Sequence, residues 1–128
     1  MQRKFFIRRL IPAFTLFSFS LYSHLVAAQQ TKESKIRRSG STNALKITDL
    51  IAVKRNNLLT VQASFINESS SRIQYNYRFK WLDDSGIKVS DDEVWKPQSA
   101  FGGQTFELTG VAPTPMATDF VIELNGFG

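Results

Sequence analysis

Residues 73–81 have the sequence IQYNYRFKW, and this stretch decides the fold. Its odd-numbered positions are large apolar or aromatic residues, whereas the even-numbered positions between them are polar or charged. Successive side chains of a β-strand point to opposite faces, so this strict alternation predicts a strand with one buried face and does not suit a helix. We therefore expect a central strand with Trp81 in the core and with Arg78 and Lys80 on the opposite face.

Further strand patterns lie on both sides of this segment. Apolar and β-branched residues fill 45–53, and alternation returns over 59–65 after a polar turn. Shorter strands are predicted at 87–89, 94–96, 105–109 and 120–124, with Pro97 ending the second of these. From Ala44 onward no segment has helical periodicity. About seven short strands indicate an all-β fold, a single antiparallel immunoglobulin-like β-sandwich.

The N-terminus has the pattern of an export signal. A basic cluster at residues 3–9 precedes an apolar run from Leu10 to Val26, and small residues at 26–28 form the exit that a signal peptidase reads. We expect residues 1–28 to be a signal peptide, cleaved after Ala28, and the mature protein to be periplasmic. The alternative is an uncleaved inner-membrane anchor, because residues 10–28 approach the length that spans a bilayer.

Residues 29–43 are polar and charged, with Ile36 their only large apolar side chain. Such a segment buries too little surface to fold, so we expect a flexible basic linker before a domain over 44–128. The net charge of +5 belongs to the leader and this linker, since residues from Ala44 onward carry 8 Lys and Arg against 10 Asp and Glu. A nucleic-acid partner is not expected, because it would require clustered cations on the domain.

Beyond the leader the chain has no histidine and no cysteine, since His24 lies inside the apolar run. It therefore lacks the side chains that most often bind metals, form thiol nucleophiles or transfer protons near neutral pH. A small hydrolase with paired carboxylates would be the enzymatic alternative, but Glu107 and Glu123 both face away from the predicted core. We expect no enzyme, no cofactor and no metal centre.

Several segments resemble the YcfL-like family, a group of small bacterial envelope proteins of unknown function that are mainly lipoproteins. The matching segments are Asn67, YNYRFKWLDDSG at 75–86, VAPTP at 111–115 and residues 117–124. The resemblance spans Leu45 to Leu124 and implies a β-sandwich in a Gram-negative envelope, without a known activity. This chain lacks the lipid-bearing cysteine of that family, so lipid anchoring is not carried over.

Two groups of residues are candidate sites for ligands. An acidic group could bind Ca²⁺ if its two loops meet, although acidic turn residues usually only form turns and the spacing is not that of an EF-hand. Its members are Asp83, Asp84, Asp91, Asp92 and Glu93. The aromatic face of residues 75–81 could stack on sugars or bases, but this spacing is more typical of a core.

The candidate partner-binding residues are Phe101, Arg78 and Lys80. Phe101 lies outside any alternation and beside the glycines at 102–103, which predicts either an exposed aromatic contact or a plug over the end of the core. Arg78 and Lys80 could bind an anionic polymer, and the alternative is that they form cross-strand ion pairs.

These features together predict an exported, non-catalytic β-sandwich that binds another envelope protein or a cell-wall polymer, with edge strands suited to strand addition. The alternative is a membrane-tethered accessory subunit of an envelope assembly, retained by its N-terminal hydrophobic segment. The sequence leaves the oligomeric state open.

Overall fold

Seven strands form two sheets in the computed structural model, which describes residues 32–127. The strands are β1 (Ile36–Ser39), β2 (Leu45–Arg55), β3 (Leu58–Asn67), β4 (Ile73–Leu82), β5 (Lys96–Ala100), β6 (Thr105–Val111) and β7 (Asp119–Gly126). One sheet has the order β1-β7-β4-β5 and the other β2-β3-β6. The all-β sandwich is confirmed, and the predicted leader at 1–28 lies outside the described residues.

Strand β4 is the central strand that the alternation predicts. It pairs antiparallel with β7 along 75–82 and with β5 along 73–77. Tyr75, Phe79 and Trp81 are each only 1% exposed, and the Phe79 and Trp81 rings stack at 5.3 Å. The aromatic face is therefore core and is not available as a stacking platform.

The two sheets meet through these aromatic rings. Phe65 of β3 stacks on Phe106 of β6 at 5.4 Å, and Tyr75 of β4 contacts the Phe106 ring at 5.5 Å from the opposite sheet. The Phe79 ring lies against the backbone of Gly110 in β6, where an added Cβ would stand 2.7 Å from the ring. The chain has no cysteine and so no disulfide to join the two sheets. Close packing of rings against backbone holds the sandwich together instead.

The prediction of a flexible linker over 29–43 is wrong for its described part. Residues 36–39 form β1, which pairs in parallel with β7, so the sandwich is not purely antiparallel. Ile36 is 8% exposed and Thr42 is fully buried. The polar composition of this segment did not predict the strand. β1 adds its backbone hydrogen bonds to an existing sheet edge, so one inward apolar side chain is enough to dock it. The domain therefore begins before Ala44.

The segment 87–100 also differs from the prediction. Pro97 does not end a strand at 94–96, because β5 begins at Lys96 and runs through Pro97. Proline is tolerated there because β5 is the outer strand of its sheet. The predicted strand at 87–89 is reduced to one isolated bridge between Leu82 and Lys88. Within residues 32–127 no helix is long and apolar enough to cross a membrane.

Candidate functional site

One end of the sandwich, which we call the Phe101 end, is built from the loops at 40–44, 67–72 and 101–104 together with Phe127. Buried Asn67 joins two of these loops. Its Nδ2 donates to the carbonyl oxygens of Ser71 (2.8 Å), Ala100 (3.0 Å) and Phe101 (3.1 Å). Its Oδ1 accepts hydrogen bonds from the backbone N–H and the hydroxyl of Ser69. Residues far apart in sequence are thus held as one unit.

Phe101 is presented to solvent by a tight turn over residues 101–104. Its N–H donates to Gln104 Oε1 at 2.7 Å, and its carbonyl accepts from the Gln104 N–H at 3.0 Å as well as from Asn67. Gly103 has φ +76°, which a residue with a Cβ rarely adopts. The backbone of Phe101 is therefore fixed while its side chain is 65% exposed. Of the two alternatives that the sequence leaves open, Phe101 is therefore an exposed aromatic residue and not a plug over the end of the core.

Arg72 stands beside Phe101, with the guanidinium carbon 5.7 Å from the centre of the ring. One guanidinium nitrogen donates to Ser99 Oγ at 3.3 Å. Among residues 32–127, no carboxylate lies within ion-pair distance of Arg72. Within the described part of the chain the Ser99 hydroxyl is the one hydrogen-bond acceptor of Arg72, so most of its donors are available to an external anion.

Two adjoining cavities meet at Arg72, Gln74 and Phe127, with volumes of about 580 and 400 Å³. Ser41, Asn43 and Ala44 continue the lining on one side, and Pro97, Gln98 and Ser99 continue it on the other. We call this continuous depression the Arg72 groove. Phe127 at its centre is 54% exposed. The groove thus combines one cation, several amide and hydroxyl groups, and an exposed phenyl ring.

Arg78 and Lys80 lie further along β4 and are not brought together with Phe101. Arg78 Nε donates to Glu123 Oε1 at 2.9 Å, and Lys80 Nζ lies 4.0 Å from the same oxygen. The Arg78 guanidinium also stacks on Trp95, 4.1 Å from the ring centre. Arg78 and Lys80 thus pair with Glu123 across strands, which is the alternative that the sequence left open. They are therefore poorer candidates for binding a partner than Phe101.

The acidic candidates are separated into different local roles. Asp83 Oδ1 accepts from the N–H groups of Ser85 and Ile87 and so shapes the turn, while Asp84 accepts from the Thr118 hydroxyl. Asp92 pairs with Lys88 at 3.3 Å. In the described part of the chain, no three acidic side chains are grouped as a metal site would require.

Glu93 has a role that the sequence did not reveal. Beyond Tyr77 the edge of β4 has no partner from β5, and Glu93 covers it. Its Oε1 accepts from the Phe79 N–H at 3.0 Å, and its Oε2 accepts from the Trp81 indole N–H at 3.1 Å. Lys96 lies 3.5 Å from the same carboxylate. A carboxylate thus replaces a neighbouring strand, which no local sequence pattern signals.

Comparison with known proteins shows which family this sandwich represents. Crystal structures of other proteins are similar in fold. Campylobacter jejuni cj0090 has a TM-score of 0.61 at 21% identity, covering 73% of this chain and 98% of that one. A DUF1425 family member from Shewanella sp. pv-4 has a TM-score of 0.57 at 22% identity, covering 62% and 75%. No curated protein matches. The family model of DUF1425, described as a protein of unknown function, matches residues 32–126, so the chain belongs to the DUF1425 family.

Proposed function

We propose that this chain is an exported, non-catalytic binding module of the YcfL-like type, and that its Phe101 end contacts another envelope protein or a cell-wall polymer. The observation that carries the proposal is the state of Phe101, whose ring is exposed on a backbone held by three hydrogen bonds. An aromatic side chain on a fixed backbone has only two side-chain torsions left to order on binding, and aromatic residues often dominate the energy of an interface.

The chemistry of the other candidate residues supports a non-catalytic role. Glu107 lies in β6 and Glu123 in β7, which belong to different sheets, and Glu123 is paired with Arg78. The mature chain brings no histidine or cysteine to any cleft. A binding surface needs none of these groups, whereas a hydrolase would need a nucleophile or a base within reach of the substrate.

Site-specific crosslinking in the envelope tests the proposal. A photoreactive amino acid at position 101 should yield one dominant adduct with a protein or with cell-wall material. The same amino acid at Val111, which is comparably exposed but lies in β6 of the other sheet, serves as the matched control. The proposal fails if position 101 gives no adduct, or only the adducts that position 111 also gives.

The second candidate is a membrane-tethered accessory subunit of an envelope assembly. It is favoured by the direction of β1, which runs parallel to β7 and so enters the domain on the side of Asp119 and Leu82, away from Phe101. A tether attached there would leave the Phe101 end facing outward. N-terminal sequencing separates the two: a chain starting at Gln29 supports the exported form, and an intact Met1 supports the tether.

A further inference from the structure

We propose that the Arg72 groove receives an extended acidic segment of a partner protein, with a carboxylate on Arg72 and apolar side chains on Phe101 and Phe127. This inference rests on the proposed binding function and adds the chemistry of the partner. Three features support it: the charge of Arg72, the exposed rings of Phe101 and Phe127, and the position of Pro97 in the edge strand beside the groove.

The charge of Arg72 is the first reason. Six other cations of the described chain have a carboxylate partner, namely Lys35, Arg38, Arg78, Lys80, Lys88 and Lys96. The other six described cations have none, and Arg72 is the one of these six that lines both cavities; the remaining five are Lys32, Arg37, Lys46, Lys54 and Arg55. The guanidinium carbon of Arg72 lies 5.7 Å from the centre of the Phe101 ring, within the range of a cation–π contact, and the guanidinium group donates one hydrogen bond, to the Ser99 hydroxyl. Its remaining N–H donors match both oxygens of a carboxylate.

The rings and Arg72 together favour a protein segment over a neutral polysaccharide. Phe101 and Phe127 carry no hydroxyl or indole N–H, so their exposed surface gains most from contact with apolar side chains. The groove also presents the amides of Asn43, Gln74 and Gln98, which can donate to peptide carbonyls and accept from peptide N–H groups. A neutral polysaccharide would stack its C–H faces on the rings but would bring no anion to Arg72, whereas an acidic peptide segment supplies both the apolar side chains and the carboxylate.

Pro97 defines how the segment is recognised. It lies in β5, the outer strand of its sheet, and it has no N–H to offer to an added strand. Strand addition to β5 is therefore weakened next to the groove. Recognition consequently depends on side chains: the guanidinium group for the acidic residue and the phenyl rings for its apolar neighbours.

A peptide array tests this inference with the purified full chain. Immobilised octapeptides of varied sequence are the probe, and we expect selection of peptides in which Asp or Glu adjoins a large apolar residue. Arg72→Glu should weaken binding of a selected peptide by at least about tenfold, and Arg72→Lys should weaken it less because only the paired geometry is lost. Phe101→Ala should also weaken it. Arg37→Glu, at an exposed β1 position, should bind like the parent and is the control.

The outcomes separate this inference from the proposed function. Selection of neutral or basic peptides would overturn the inference. It would also be overturned if no acidic peptide bound and purified cell-wall polymer bound instead, with Arg72→Glu weakening the binding of the polymer. If crosslinking at position 101 still captures a specific partner, the proposed function stands and only the acidic segment is wrong. Thermal unfolding of each variant is measured in parallel, and if Arg72→Glu does not fold, Arg72→Gln and Phe101→Ala decide the question.

Discussion

At the scale of single residues, Thr42 is the least satisfied group in the core. It is fully buried, and its hydroxyl has no hydrogen-bond partner among the described residues. An unsatisfied buried hydroxyl costs roughly 1–3 kcal/mol. Thr42→Val keeps the shape and removes that cost, so urea unfolding should show a gain of about 1 kcal/mol. Thr42→Ser keeps the hydroxyl and loses a methyl group, and should be less stable than the parent. A loss of stability in the valine variant would mean that the hydroxyl is satisfied.

Trp81, unlike Thr42, is a buried residue whose polar group has a hydrogen-bond partner, and we expect it to stabilise the fold. Trp81→Ala removes the stacking on Phe79 and leaves Glu93 without the indole donor. We expect a loss of about 3–5 kcal/mol, a large part of the 5–15 kcal/mol that a small domain typically has. Lys80→Ala, one position along and on the outer face, should change stability by no more than about 0.5 kcal/mol.

Thermal unfolding of the two purified variants beside the parent measures both effects. The core assignment would be wrong if Trp81→Ala melted with the parent while partner binding disappeared, since the ring would then act at a surface.

Some of these residues were visible in the sequence and others were not. The core face of residues 73–81 is visible because every second side chain meets the same interior, which imposes a period of two. Phe101 is visible as an aromatic residue outside that period and beside two glycines. Arg72 could not be predicted as a candidate, because that requires knowing that no carboxylate lies near its guanidinium group, and this depends on how distant loops meet. Glu93 is hidden for the same reason: its partners are a backbone N–H and an indole on another segment.

At the scale of elements, β1 is the strand that composition could not reveal. A strand of four residues with one inward apolar side chain has no measurable period, and it is stable only because β7 supplies its hydrogen bonds. We predict that Ile36→Ala destabilises the domain by roughly 2–5 kcal/mol. Arg37→Ala, the outward neighbour, should stay within about 0.5 kcal/mol of the parent.

Chemical unfolding of these two β1 variants tests whether β1 is part of the fold. Equal stability of both would mean that residues 36–39 contribute nothing to the folded domain, as a flexible linker would. Loss in the Ile36 variant alone would establish that the domain requires residues before Ala44.

At the scale of the whole molecule, stability should fall in acid through the ion pair between Lys35, which precedes β1, and Asp119 of β7. Burial alone would raise the pKa of Asp119, but hydrogen bonds from Lys35 and from the Phe120 N–H outweigh it and lower that pKa. A carboxyl group whose pKa is lower in the folded state stabilises fully above its ordinary value near 4 and loses that contribution as the pH falls below it. Solvent screening keeps the effect small, since the Asp119 side chain is partly exposed.

Melting temperatures measured from pH 7 to pH 2 check this expectation. The parent should lose stability below about pH 4, and Asp119→Asn should lose less over the same interval because it has no carboxyl group to protonate. Asp92 is also held at a lowered pKa, chiefly by its hydrogen bond with Lys88, but it lies at the surface. By the same linkage Asp92→Asn should also lose less stability in acid, but by a smaller amount than Asp119→Asn because solvent screens a fully exposed group, so it serves as the comparison variant. An unchanged acid response in the Asp119 variant would contradict the prediction.

The hydrogen bonds made by Asn67 have a consequence for how the sequence of the Phe101 end can evolve. The hydrogen bonds that place Phe101 and the loop before Arg72 come from the side chains of Asn67, Ser69 and Gln104 and from backbone groups, and neither the phenyl ring nor the guanidinium group takes part in them. Substitution of either outward side chain therefore leaves the scaffold of the loops intact. A chain built in this way can acquire a new recognition specificity by single surface substitutions, while Asn67 itself has almost no freedom to vary.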